Sequence, residues 1–212
     1  MDAQLHPPRR RGRPPKQRDD LSDTRELLLR TGLEVLTEKG FSATGIDEIL
    51  SRVGVPKGSF YHYFDSKKDF GLRLIERYAQ FFAKKLDRHL RNSALSPVDR
   101  LHAFVEDAKE GMSRHAFRRG CLIGNLGQEI GSLPESFREQ LQDCFGDWQE
   151  RFAACLSEAQ QVGQISGGVD AKQLAAFFWI GWEGAVMRAK LEQSVKPLEL
   201  FASYFFASLP TS

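Results

Sequence analysis

Apolar residues recur every three to four positions along most of the chain, which is the spacing of helices with one buried face. The clearest series runs from residue 137 to residue 159, where this spacing persists for about six turns. No segment alternates apolar and polar positions as a strand would, and no internal repeat is evident. The pattern predicts an all-α fold of about nine helices.

Capping and breaking residues predict where the first helices begin and end. Ser22 or Asp23 is a suitable N-cap for a first helix, which Gly40 would end. A second short helix is expected from Thr44 and Gly45 onward. The tight turn at 53–55 then precedes a third helix over 57–64.

The remaining predicted helices are longer. Ser66 would cap a fourth helix that reaches about residue 89, interrupted by Gly71. Further helices are predicted from Pro97, over 137–159, after a cap at Asp170, and from Pro197.

The three short helices within 23–64 have the layout of a helix-turn-helix. Phe60 and Phe64 lie four residues apart, so both can anchor the third helix to the core. This leaves six residues facing outward: Lys57, Gly58, Ser59, Tyr61, His62 and Tyr63. Charge, hydroxyls and a glycine on one face favour reading of a DNA groove. The alternative is a surface helix whose Tyr61 and Tyr63 pack at an internal seam.

Residues 1–20 carry four prolines, six lysines and arginines, and no hydrophobic periodicity. Such a segment buries too little apolar surface to offset its ordering entropy, so it is expected to be disordered when free. Arg11 and Arg13, in the run Arg-Gly-Arg-Pro, suit the narrow minor groove of A·T-rich DNA. A purely electrostatic tail is the alternative.

Charge is distributed unevenly along the chain. Residues 1–91 contain 19 lysines and arginines against 13 aspartates and glutamates, whereas the other residues contain 11 against 15. Only residues 1–91 are therefore expected to bind a polyanion. Charge alone does not distinguish nucleic acid from an anionic membrane surface as that polyanion.

Several classes of protein lack support in the sequence. No apolar run is long enough to span a membrane and no secretory signal is evident, so a cytoplasmic location with no membrane partner is expected. The three cysteines and five histidines lack the spacing of a disulfide framework or a metal site. No cofactor loop and no nucleophile–base pair is recognisable, so neither a cofactor nor enzymatic activity is expected.

Residues 40–70, GFSATGIDEILSRVGVPKGSFYHYFDSKKDF, resemble the signature of TetR-type repressors. The resemblance implies a homodimer that binds a double-stranded, palindromic DNA operator and responds to a small molecule. Carried over by position, it implies two groups of DNA contacts. Lys57, Gly58 and Ser59 would face bases, while Thr44, Gly45, Tyr61, Tyr63 and Lys67 would contact phosphates; His62 would reach either.

Two stretches of the second half, RRGCLIGNLGQEIG at 118–131 and FWIGWEGAVMRAKLE at 178–192, resemble acrylate-responsive repressors. More distantly they are similar to electrophile-sensing repressors of N-ethylmaleimide reductase. By position, the reactive cysteine of the latter falls on Cys121 and its partner lysine on Lys190. The implied effector is a small unsaturated carboxylic acid, its thioester or another electrophile. The remaining candidate effector contacts are Asn125, Trp148, Trp182, Glu183 and Met187.

Local chemistry also draws attention to Cys121. It follows Arg118 and Arg119 and lies near an expected helix start, and both features favour a thiolate. The alternative is that Cys121 is a small buried hydrophobe. Glycines at 120, 124, 127 and 131 would lie along one face of this helix, predicting either close packing or marginal stability. Glu183, Met187 and Lys190 share a face that would line a pocket or form a solvated stripe.

The expected organisation is a basic arm over 1–20, a DNA-binding domain over 21–66, and a ligand-binding and dimerisation body over 67–212. The helices after Asp170 and Pro197 are candidates for a four-helix interface between two copies. Two rival classes, an enzyme and an architectural DNA protein that relies on the arm, lack a motif of comparable specificity.

Overall fold

The chain folds into helices joined by short turns. The computed structural model describes the backbone of residues 18–210 and the side chains of residues 23–210. The predicted arm, with Arg11 and Arg13, lies outside the described residues. Eight α-helices are found in the described part: α1 (Arg18–Lys39), α2 (Ile46–Val53), α3 (Lys67–Leu90), α4 (Pro97–Arg114), α5 (Leu122–Gln128), α6 (Glu135–Gln161), α7 (Ala171–Glu192) and α8 (Lys196–Ala207). With them are two 3₁₀ helices, Lys57–His62 and Ile130–Ser132. Since residues 18–210 contain no strand, the all-α prediction is confirmed.

Side-chain caps are observed at three helix ends, and those at Ser66 and Asp170 were predicted. The side chains of Ser66, Ser96 and Asp170 each accept hydrogen bonds from backbone N–H groups in the first turn of α3, α4 and α7. Gly40 and Gly54 adopt φ angles of 85° and 66°, which L-residues with a Cβ rarely adopt. Local chemistry therefore accounts for these helix ends.

Two boundaries near the N-terminus differ from prediction. The first helix begins at Arg18, before the predicted cap at Ser22 or Asp23, since no proline interrupts the chain after Pro15. The third helix is a six-residue 3₁₀ helix that ends at His62, not an α-helix to Phe64. Short helical pieces commonly adopt this tighter form, and the packing of Phe60 and Phe64 holds it in place.

The expected glycine-faced helix over 118–131 is much shorter. Residues 118–120 form a loop, α5 covers only Leu122–Gln128, and Gly131 lies in a separate 3₁₀ turn. Because the high conformational entropy of glycine disfavours a long helix here, only Gly124 and Gly127 remain helical. The short α5 agrees with the alternative in which the glycines make this helix only marginally stable.

Helix α3 joins the two parts of the molecule. At its N-terminal end, Phe70 packs against Phe60 and Phe64 in the core of the head, the three-helix unit of α1, α2 and Lys57–His62. A Cβ added at Gly71 would lie 2.6 Å from ring atoms of both Phe41 and Phe137. The glycine that was expected to weaken α3 thus permits close packing between head and body.

Aromatic residues form the core of the body, which comprises the rest of α3 and α4–α8. Trp148 and Trp179 lie at 5.0 Å between ring centroids, and Phe152 stacks on Phe178 at 4.1 Å. All four side chains are buried. No helix in the described part of the chain is long and apolar enough to cross a lipid bilayer.

Candidate DNA interface and effector cavity

One side of the 3₁₀ helix Lys57–His62 packs on the core of the head, and its other side faces solvent. Phe60 is completely buried against Phe64 and Phe70, while the side chain of Tyr61 is 60% exposed. Lys57, Gly58 and His62 are also exposed, and Ser59 is half-buried. The Lys57 Nζ lies 2.8 Å from Asp47 Oδ2, but both side chains are largely exposed, so this salt bridge is weak. The helix therefore presents polar groups on a rigid support.

Gly45 and Gly58 have no structural reason within the described residues to be glycine. A Cβ added at either position would meet no atom within 4 Å, and neither residue has a positive φ. Both glycines are exposed. A small side chain at either position would therefore leave the packing of the described residues undisturbed.

Three predicted phosphate contacts are less exposed than expected. The Thr44 side chain is buried, and its hydroxyl donates a 2.6 Å hydrogen bond to the Gly40 carbonyl, so it stabilises the turn in this structure. Tyr63 is half-buried against the core. The Lys67 ammonium lies 4.5 Å from the centre of the Phe41 ring, and burial lowers the pKa of this lysine. The half-buried position of Tyr63 therefore agrees in part with the alternative prediction, in which this side chain packs inside the protein.

A cavity of about 140 Å³ lies in the body between α3, α4, α5 and α7. Of the predicted effector contacts, Cys121, Trp182 and Glu183 line it. Its other lining residues include Tyr78, Phe82, Lys85, Met112, His115 and Arg119. A carboxyl, a thiol and a phenol therefore line one small cavity together with apolar and basic side chains.

Cys121 does not have the environment that its neighbours in sequence predict. It is the N-cap of α5, as expected, and its Sγ accepts a 3.4 Å hydrogen bond from the Gly124 N–H. However, the residue is buried beside Glu183, and desolvation and this carboxyl raise the pKa of the thiol well above its usual value. Arg119 forms salt bridges with Glu34 and Glu38 instead. The thiolate predicted from the adjacent arginines is therefore wrong for this structure.

Glu183 is a buried carboxyl group in the wall of the cavity. Burial raises its pKa to about 7, and the hydrogen bond with Cys121 lowers the pKa only in part. The carboxylate also occupies the space where a Cβ on Gly124 would lie. Gly124 is thus glycine because α5 and α7 approach closely around this acid.

The other predicted effector contacts lie outside the lining of this cavity. Trp148 is fully buried in the aromatic core, where its indole N–H has no hydrogen-bond partner among residues 23–210. Met187 is 41% exposed on α7. Asn125 and Lys190 both donate hydrogen bonds to the Thr37 carbonyl at the end of α1. The three residues on one face of α7 therefore have different surroundings: Glu183 lines the cavity, Met187 is exposed to solvent, and Lys190 bonds to α1. Neither of the two predicted alternatives describes the whole face.

Sequence reasoning missed two sets of residues. Tyr78, Phe82 and Met112 line the cavity, although on α3 and α4 they read as ordinary apolar positions. Glu129, near the end of α5, accepts hydrogen bonds from the N–H groups of Phe41 and Ser42. No local pattern marks these residues, because their partners lie far away along the chain.

One face of α7 and α8 is apolar and exposed. Phe177, Ile180 and Leu191 on α7 are 55%, 74% and 75% exposed, while Leu200 and Tyr204 on α8 are 61% and 72% exposed. A groove of about 830 Å³ runs between these helices. So large an exposed apolar surface is typical of a protein interface.

Comparison with known proteins identifies the class. The family "Bacterial regulatory proteins, tetR family" matches residues 28–74, and "Tetracyclin repressor-like, C-terminal domain" matches residues 97–205. The chain therefore belongs to the TetR family, whose members are transcriptional regulators and not enzymes.

Among individual relatives, the transcriptional regulator AcuR of Cereibacter sphaeroides is 53% identical over 196 residues, which is 92% of this chain and 89% of the relative. The transcriptional repressor NemR of Escherichia coli is 33% identical over 181 residues, 84% of this chain and 89% of its own length. A crystal structure of the regulatory protein TetR from Rhodobacter sphaeroides superposes with a TM-score of 0.85 at 53% identity, covering 87% of this chain and 97% of that one.

Proposed function

We propose that this chain is a ligand-responsive transcriptional repressor. Two copies bind a palindromic operator through their Lys57–His62 helices and release it when a small molecule enters the cavity beside Cys121 and Glu183. The observation that carries this proposal is the exposed polar face of a helix whose underside is locked by Phe60 and Phe64. The names of the relatives, regulator and repressor, agree with it.

The DNA contacts are those that the resemblance to TetR-type repressors implies, and Lys57, Gly58, Tyr61 and His62 are also exposed. Lys57, Gly58 and Ser59 face bases in the major groove, where a cation and a hydroxyl read base edges and Gly58 permits close approach. Gly45, Tyr61, Tyr63 and Lys67 hold phosphates, and His62 reaches either target. Thr44 contributes by fixing the turn before α2, since its hydroxyl is already bonded to Gly40.

The exposed apolar face of α7 and α8 pairs with the same face of a second copy. Phe177, Ile180, Met187 and Leu191 recur at intervals that place them on one side of α7, as in helices packed side by side. A two-fold pairing would form a four-helix interface and set the distance between the two heads. That distance must match successive major grooves, so an effector that alters it releases the operator.

The cavity favours a small effector. A volume of about 140 Å³ corresponds to roughly five molecules of liquid water. A small unsaturated acid or electrophile of a few heavy atoms fits, whereas only the acyl end of a thioester would enter. Cys121 is the candidate nucleophile for an electrophile, provided that its thiol first gives its proton to a base, for which the ionised form of the neighbouring Glu183 carboxyl is available. The protonated Glu183 carboxyl can hydrogen-bond with a bound acid.

The DNA assignment is tested by Lys57→Ala and Tyr61→Phe. Lys57→Ala should lower operator affinity about tenfold and relax base preference, while Tyr61→Phe should weaken binding similarly on all sequences. Gel shift at fixed salt measures both. Lys172→Ala, an exposed lysine of α7, is the control and should leave binding unchanged. Unaltered affinity in both head variants would refute this use of the helix.

The effector assignment is tested with small acids, thioesters and electrophiles in a thermal-shift and operator-release screen. A compound that releases the operator from the wild-type chain should fail to release it from Ala108→Leu, which narrows the cavity. Ala94→Leu, in an exposed turn, is the matched control. Equal release from both variants would place the effector elsewhere.

A further inference from the structure

The carboxyl end of α1 is held by side chains that belong to the body. The Asn125 Nδ2 donates a 2.9 Å hydrogen bond to the Thr37 carbonyl oxygen. The Lys190 Nζ donates to the same oxygen at 3.1 Å and to the Glu38 carbonyl at 2.9 Å. Carbonyls in the last turn of a helix lack partners within the helix and carry partial negative charge, so an ammonium group is well placed there.

The turn that follows α1 is held by a body carboxylate. Glu129 accepts hydrogen bonds from the N–H groups of Phe41, at 2.9 Å, and Ser42, at 2.7 Å. Hydrogen bonds to an ionised acceptor are stronger than those between neutral groups. Two features of this turn require a glycine at position 40. Its φ of 85° favours glycine, and a Cβ would collide with the Glu129 carboxylate.

These contacts act on the DNA-binding helix through a short connection. The turn at 40–45 leads directly into α2, and α2 leads through Gly54 into Lys57–His62. Lys67, at the start of α3, lies over the ring of Phe41. Hence the orientation of the head depends on how firmly the end of α1 is held.

The segments that carry these three residues, α5 with its flanking residues and α7, also form part of the cavity wall. On α5, Cys121 caps the N-terminus at the cavity, while Asn125 and Glu129 follow one and two turns later. On α7, Glu183 lines the cavity and Lys190 lies seven residues further on. Seven or eight residues of helix span about 11 to 12 Å, so the cavity wall and the head contacts lie close together on the same two segments.

We propose that Asn125, Glu129 and Lys190 are positioning residues for the DNA-binding head. They hold the end of α1 and the turn after it so that the Lys57–His62 helix meets DNA in the correct orientation. None of them touches DNA. This inference rests on the proposed function of that helix and adds body residues on which operator affinity depends.

The first test compares the full-length wild type with Glu129→Gln and Lys190→Met. The probe is the operator that the wild type selects from random-sequence DNA. Both variants should bind it at least about tenfold more weakly, without a matching loss of thermal stability. Hydrogen exchange of the amides in 37–44 should accelerate, while exchange in 46–53 stays slow. Glu139→Gln and Lys172→Met, both exposed, are the matched controls.

Lys190→Arg separates positioning from general stabilisation. Because an arginine can still donate to the Thr37 and Glu38 carbonyls, it should recover most of the affinity that Lys190→Met loses. Full operator affinity in Glu129→Gln and Lys190→Met, despite faster exchange in 37–44, would overturn the inference. Affinity that falls only as thermal stability falls would overturn it as well. A wild-type chain that selects no operator would instead overturn the proposed function, and the inference with it.

Discussion

At the scale of single residues, burial changes the chemistry that neighbours in sequence would predict. Cys121 follows two arginines, yet its thiol pKa is raised because the side chain is buried beside a carboxyl group. Glu183 reads as a polar position on a helix face, yet its pKa rises to about 7 in the cavity wall. The two groups lie side by side in the cavity wall, where an effector would enter.

Glu183 should make the stability of the protein depend on pH. Its pKa moves from an ordinary 4.5 to about 7 on folding, so between these values the folded chain keeps a proton that the unfolded chain has lost. Stability therefore falls as pH rises through this window, by up to about 3 kcal/mol, and the loss is complete above it. Urea unfolding from about pH 5 to pH 8 should show a flatter profile for Glu183→Gln than for the wild type.

The matched control for this pH profile is Glu139→Gln, which alters an exposed carboxylate of α6. It should keep the slope of the wild type. Parallel profiles for the wild type and Glu183→Gln would mean that the buried carboxyl titrates normally.

Gly58 should matter for DNA and not for folding. A methyl group at this position meets no atom of the protein, so Gly58→Ala should leave the melting temperature nearly unchanged. On DNA the methyl group would hinder close approach, and operator affinity should fall about tenfold, equivalent to about 1.4 kcal/mol. Gly146→Ala, an exposed glycine of α6 with equally open surroundings, is the control for operator binding, which it should leave unchanged, although in a helix interior it should raise the melting temperature. Tight operator binding by Gly58→Ala would argue against base contact at this position.

At the scale of the helices, local chemistry predicts boundaries better than lengths. Ser66 and Asp170 cap the helices that they were expected to cap, because a side chain there satisfies a free N–H group. The lengths of α5 and of Lys57–His62 were overestimated. A short helical segment can adopt either an α or a 3₁₀ conformation, and its packing in the folded chain determines which one forms.

The basic arm is expected to read A·T-rich flanks of the operator. Replacing both Arg11 and Arg13 with alanine should weaken binding and make it less sensitive to salt, since two cationic contacts are lost. The loss should be larger with A·T than with G·C flanks, measured by fluorescence anisotropy over a salt series. The double replacement of Arg9 and Arg10 is the control of equal charge. If both double variants lose affinity equally on both flanks, the arm is only an electrostatic tail.

At the scale of the whole molecule, we expect the exposed apolar face of α7 and α8 to pair with a second copy of the chain. Ile180→Glu places a charge in the centre of this face, where the side chain is 74% exposed in one chain, and should convert dimers into monomers. Sedimentation velocity measures the change, and operator affinity should fall with it. Val162→Glu, 62% exposed after α6, is the control. A dimeric Ile180→Glu variant would place the interface elsewhere.

Much of this molecule was determined by its sequence alone. Helical periodicity, caps and glycine turns predicted the all-α fold, because each depends on residues within one or two turns of each other. The outward face of the Lys57–His62 helix followed from the spacing of Phe60 and Phe64 in the same way.

Only the tertiary structure decided what the body residues touch. Lys190 and Asn125 were expected at an effector, yet they hold Thr37, which lies 153 and 88 residues away along the chain. The pKa values of Cys121 and Glu183 likewise depend on burial between helices that are distant in sequence. Contacts of this kind follow from how complete helices pack, and that packing is a property of the folded chain as a whole.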